Sequence, residues 1–128
     1  MATGQVYRSV KLVLQNSLDE NLAVQGFAVL TGAWAEKLAP TQGMVVGEQS
    51  AAELMSVSTT LGSGTAAYVR LSSSYGYLMI RWNLPWTGSF EQEVTDHEGL
   101  TLTVKKDDSH PDAVVLMVTV TVARRVGA

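Results

Sequence analysis

Apolar residues recur at every second position along most of this chain, a period that admits strands and little else. In "SVKLVLQ", Val10, Leu12 and Leu14 fall on one side while Ser9, Lys11 and Gln15 fall on the other. An extended backbone turns successive side chains to opposite faces, so such a segment buries one face and wets the other. The same reading puts Leu22, Val24, Ala28 and Leu30 on one face of a second strand, with Gly26 as a bulge. Between them, "NSLDEN" is turn chemistry, because asparagine and aspartate bond their own backbone, and the pair reads as a hairpin.

The pattern continues through "AAYVRLS", "YLMIRWN", "SFEQEV" and "LTLTVKK", punctuated by "LGSGT", "SSSYG", "TDHEG" and "DDSHPD". "TGAW" leads into a loop broken by Pro40 and Gly43. Residues 44–60 are ambiguous. Ser50 followed by Glu53 matches a capping box, but Val57, Ser58, Thr59 and Thr60 leave barely two turns for a helix, so strand is the better reading. The run "AVVLMVTVTVA" is apolar on both sides, which predicts a central strand covered on both faces. No repeat or linker divides the chain. The expectation is an all-β, single-domain antiparallel β-sandwich over residues 1–128, a length able to bury roughly two-thirds of the unfolded surface.

Charge and cysteine count narrow the function. With no cysteine there are no disulfides, thiolate metal sites or thiol nucleophiles. A net charge of −3 provides no basic field for a phosphate backbone, so nucleic acid is a poor partner. The charged fraction of 16% is below the usual figure of about 25%, with Ser, Thr, Gly and Gln supplying polarity instead. "MATGQVYR" has no basic end followed by an apolar stretch, and no window approaches the roughly 18–20 apolar residues of a spanning helix. The sequence therefore reads as a soluble protein made without a signal peptide, meeting any membrane from outside.

Catalytic constellations are hard to assemble. His97 in "TDHEG" and His110 in "DSHPD" sit between carboxylates and offer imidazole and oxygen ligands, but solvated acidic turns explain them better than a metal does. There is no G-x-S-x-G elbow for a serine hydrolase. Glu91, Glu93, Asp96 and Glu98 offer carboxylates for glycoside cleavage, yet Glu91 and Glu93 on one strand face are also ordinary solvent dress. "LGSGT" lacks the lysine and helix of a phosphate loop and reads as a hairpin turn. The chain is expected to be non-enzymatic, with neither metal nor cofactor.

Aromatic residues carry the rest of the signal. Trp82 shares parity with Leu78 and Ile80 and reads as core. Trp86 lies beyond Pro85, where parity gives no guide. An indole is a large apolar plate with an N–H that wants a partner, suited to a lipid boundary, a sugar face or the open end of a sandwich. Tyr75 and Tyr77 lie just upstream, and Phe90 opens the next strand.

"RWNLPWTGS" resembles the W-x-x-P-W-x-G segment of the aegerolysins, small acidic β-sandwich proteins, with Trp82, Pro85, Trp86 and Gly88 in the matching places. "LQNS", "GAW" at Trp34 and "GSGTAAY" agree in order; the last two are also similar to the small component of two-protein insecticidal toxins of bacilli. The family segment usually carries aspartate and often cysteine where this chain has Asn83 and Leu84. The resemblance implies recognition of membrane lipid, often sphingolipid, at one end of the sandwich. It also implies a larger, perforin-like or binary-toxin partner that makes the pore, and a released protein acting at target-cell membranes, frequently against insects. The contact residues would be Trp86 first, then Trp34, with Tyr75 and Tyr77 as a polar-aromatic rim. Homo-oligomers fit this class too. Two alternatives stand beside it: a carbohydrate-binding module, and a self-assembling structural protein in which strand 113–123 pairs between subunits as an edge.

Overall fold

A computed structural model describes residues 5–96 and 99–122. The strands are β1 (Arg8–Asn16), β2 (Leu22–Thr31), β3 (Ala33–Trp34), β4 (Val45–Val46), β5 (Ser50–Ser58), β6 (Thr65–Ser73), β7 (Gly76–Leu84), β8 (Glu91–Asp96), β9 (Leu100–Asp107) and β10 (Ala113–Val122). They form two five-stranded sheets, ordered β3-β5-β1-β10-β9 and β4-β2-β6-β7-β8. This is the expected β-sandwich. Every pairing is antiparallel except that of β1 with β10, which run side by side in parallel.

Alternation explains the core. Val10, Leu12 and Leu14 of β1 and Leu116, Val118 and Val120 of β10 face Val69, Leu71, Leu78, Ile80 and Trp82 across the gap, all of them buried. Each side chain so removed from water contributes about 1.5–3 kcal/mol. Within residues 44–60, Val45–Val46 and Ser50–Ser58 are strand and none is helix. Glu53, the acid of the expected capping box, instead reaches Lys11 of the neighbouring strand at 3.5 Å, and all nine residues of β5 are paired with β1.

Four local expectations are corrected. β1 and β2 are not a hairpin, because they belong to different sheets and residues 17–21 cross between them. Leu18 drops into the core at that crossing, and Asn16, 1% exposed, ties it together: Nδ2 faces the carbonyls of Glu20, Val46 and Gly47 at 2.9, 3.0 and 3.1 Å, while Oδ1 accepts the Leu18 N–H. The β2 faces also differ. Gln25 and Leu30 are extra residues in the ladder with β6, so the inward set passes from Leu22 and Val24 to Phe27 and Val29, leaving Leu30 54% exposed. An inserted residue reverses the parity of everything after it.

"LGSGT" likewise crosses between the sheets, from β5 to β6. A side chain on Gly64 would overlap the Leu84 carbonyl oxygen and stand 2.8 Å from Cα of Pro85, so this crossing is pressed against the chain that leaves β7. Gly64→Ala is expected to cost about 1–3 kcal/mol in urea denaturation through overpacking against backbone that has little room to yield. Finally, β10 is covered on one face only: Val115 and Thr119 are half-buried and Met117 is exposed. It lies between β1 and β9, so it is not an edge available for pairing between subunits.

Candidate functional site

Strand direction gathers five pieces of chain at one end of the sandwich. They are residues 5–7 ahead of β1, the end of β2, the 59–64 crossing, the 85–90 loop after β7 and the 108–112 turn before β10. Hydrogen bonds lock them together: Tyr7 N–H to the Ser58 carbonyl at 2.8 Å, and Ser9 N–H to that of Asp112 at 2.9 Å. Pro85 ends β7, since proline has no N–H to donate to a ladder, and the chain then turns through Trp86.

Trp86 is half-buried on this end. The Arg8 guanidinium lies over its ring at 4.1 Å from the centroid and donates to the Trp86 carbonyl at 3.1 Å. Tyr7 meets the ring edge-on at 6.1 Å, and Asp112 stands 4.0 Å from Arg8. Arg8 is thus largely occupied in holding the indole, which fixes the plate while part of it faces water. Trp34, also half-buried, is deeper in the same half, edge-on to Phe27 at 6.3 Å and to Trp82 at 6.1 Å.

Tyr75 and Tyr77 lie elsewhere. β7 is nine residues long, about 30 Å at the usual rise per residue, and these tyrosines stand at its start whereas Trp86 follows its end. The Tyr75 hydroxyl donates to Asp19 at 2.8 Å, and that bond to a carboxylate holds the phenol above its ordinary pKa. Ser74 binds Glu20 beside it, and Arg70 covers the Tyr77 ring at 4.6 Å. A polar, acidic cluster therefore marks this far end, and the expected four residues do not form one surface.

Sequence reasoning missed the apolar side chains exposed at the Trp86 end of the sandwich. Leu61 is 70% exposed, Leu30 54% and Val6 49%. A leucine inside the Gly- and Ser-rich "LGSGT" turn was a usable signal, because turn tips rarely need one. The close approach of Gly64 to Pro85 puts the crossing that carries Leu61 at the same end of the sandwich as the loop that carries Trp86.

The candidates for chemistry are scattered. His97 and Glu98 lie outside the described residues. His110 is exposed, and its carbonyl accepts the Ala113 N–H at 2.9 Å to close the turn into β10. In that turn the Ser109 hydroxyl and backbone N–H both donate to Asp107 and hold its carboxyl below the ordinary range. Glu91 and Glu93 point outward from β8 opposite Asn83 and Arg81. Among the described residues, no group of three or more His, Asp or Glu is placed to hold a metal ion, and no helix is long and apolar enough to cross a membrane.

No family model matches the sequence, and no curated protein matches it significantly. Fourteen chains of solved structure do match in shape. One is the crystal structure of the lipid binding protein Nakanori, with a TM-score of 0.72 and 11% identity over 91% of this chain and 72% of that one. At that identity the likeness is one of fold: this chain has a β-sandwich similar to the one seen in Nakanori.

Proposed function

We propose that the protein binds membrane lipid, without catalysis, through the Trp86 end of its sandwich. One observation carries the reading: an indole held half-open by Arg8 and Tyr7, at the end where Leu61, Leu30 and Val6 are also left in water. Exposed apolar side chains around a boundary-seeking ring suit a water–lipid interface. Burying each Leu or Val in lipid contributes about 1.5–3 kcal/mol, enough in sum to hold a small domain at a surface. The net charge of −3 argues against anionic bilayers and for a zwitterionic head group, such as the phosphocholine of a sphingolipid.

The fold shared with a lipid binding protein supports the same reading. In the finer version, the aegerolysin-like segment makes the protein the docking half of a pore-forming, insecticidal pair. A larger perforin-like partner would then open the membrane. Trp86 makes the first contact with Trp34 behind it, while Tyr75 and Tyr77 face away from an end-on approach.

Vesicle co-sedimentation tests this with phosphatidylcholine, sphingomyelin and phosphatidylserine bilayers. Binding is expected to the first two, with a blue shift in tryptophan emission and no dye release by the protein alone. Leu61→Ser, at a side chain the core does not use, is expected to weaken binding roughly tenfold, the equivalent of about 1.4 kcal/mol. Absence of retention on all three bilayers, or a Leu61→Ser protein that binds like wild type, overturns the proposed contact. Glycan binding in the absence of any lipid would instead favour a carbohydrate module.

A further inference from the structure

We propose that the protein pairs with a second copy of itself along the β8 and β9 edges, forming a two-fold dimer whose sheets each run on into the partner. The two flanks of the sandwich are unlike. One is closed by the two-residue strands β3 and β4, the other by β8 and β9, of six and eight residues. β8 pairs only with β7, and β9 only with β10, among the described strands. Such an edge presents a row of backbone donors and acceptors ready for another strand.

Direction makes a closed pairing possible. β8 runs away from the Trp86 end and β9 runs back towards it. A two-fold axis parallel to the strands therefore sets β8 antiparallel to the partner's β9, and β9 antiparallel to the partner's β8, both at once. Heights are preserved by that axis. They agree in the single chain, where Phe90 just before β8 lies 6.0 Å from the Lys106 ammonium near the end of β9.

Charge selects this arrangement over like-with-like. Glu91 and Glu93 face outward from β8, while Lys105, opposite Met117, faces outward from β9. None of the three is in an ion pair among the described residues. The other charges on β9 are engaged: Asp107 with Ser109, and Lys106 with Asp108 at 3.4 Å. Over the β7–β8 ladder is an open hollow of about 290 Å³ lined by Arg81, Trp82, Asn83, Glu91, Gln92 and Glu93, net negative by one charge, and in the proposed pairing the partner's Lys105 comes in beside it. Pairing β8 with another β8 would instead juxtapose four glutamates, and like charges directly opposite destabilise a ladder.

Sedimentation velocity from micromolar to hundreds of micromolar protein tests the proposal, without lipid, so that its outcome is independent of the lipid reading. The expected result is a concentration-dependent species of twice the 13.7 kDa chain mass. Lys105→Glu, and separately Glu91→Lys with Glu93→Lys, should leave a monomer with an unchanged circular dichroism spectrum. Combining all three should restore the dimer. A wild type that stays monomeric throughout, or a dimer indifferent to these reversals, overturns it.

Discussion

Trp82→Ala is expected to cost about 3–5 kcal/mol of folding free energy, a large share of the roughly 5–15 kcal/mol that holds a typical domain folded. Trp82 is the largest fully buried side chain, 1% exposed. Its Nε1 donates to Ser56 Oγ at 2.9 Å, a bond that joins one sheet to the other, and Thr65 Oγ1 lies 2.9 Å from the same oxygen. Alanine leaves a cavity between sheets that cannot close without moving both, because each is pinned by its own ladder. Trp82→Phe keeps most of the volume and loses the bond, so about 1–2 kcal/mol is expected. Equilibrium urea denaturation measures both. A second readout comes from Trp34, which leans on Trp82: in the alanine protein its emission should become more open to iodide while that of Trp86 does not change. If Trp82→Ala falls within experimental error of wild type, the sheets are not joined through this ring.

Asn16→Asp should be comparably damaging at neutral pH and, unlike Trp82→Ala, should depend on pH. The amide nitrogen of Asn16 is surrounded by three carbonyl oxygens at a buried crossing. An aspartate places an acceptor there among acceptors, with a charge removed from water, at a cost of about 3 kcal/mol or more. Burial and the facing carbonyls raise the folded-state pKa of such a group above its unfolded value of about 3.9. The folded state then holds its proton more tightly than the unfolded chain does. Stability is therefore best below about pH 4 and falls as pH rises through the folded pKa. Asn16→Ala removes the donors without adding a charge, so its deficit relative to wild type should be flat across the same range. Parallel curves for the two variants would show that the site is open to water.

How far the sequence revealed this protein depends on what kind of information each feature needs. Alternation in "SVKLVLQ" and "YLMIRWN" is local, and it yields β1 and β7 with their correct faces. It does not say which sheet a strand joins, because the same turn residues serve a hairpin and a crossing. Leu18 was the clue at the first crossing: a leucine within a polar turn needs somewhere to be buried. The bulges at Gln25 and Leu30 are set by the ladder with β6, which no local period records. Val115 and Met117 look like core because they are apolar, although the face they occupy is open to solvent. The candidate site divides likewise. Trp34 and Trp86 lie in one half of the sandwich, but Tyr75 and Tyr77 are close to Trp82 only along the chain, and a strand carries sequence neighbours far apart.

The parallel register of β1 with β10, from Ser9 beside Ala113 to Asn16 beside Val120, has a consequence for biosynthesis. Ribosomes deliver β10 about a hundred residues after β1, so the middle of that sheet stays incomplete for that whole interval. Until then β1 has no strand beside it on that flank. A stop codon before Val114 should therefore leave β1 without one of its neighbours and β9 without β10, and yield aggregate instead of a smaller domain.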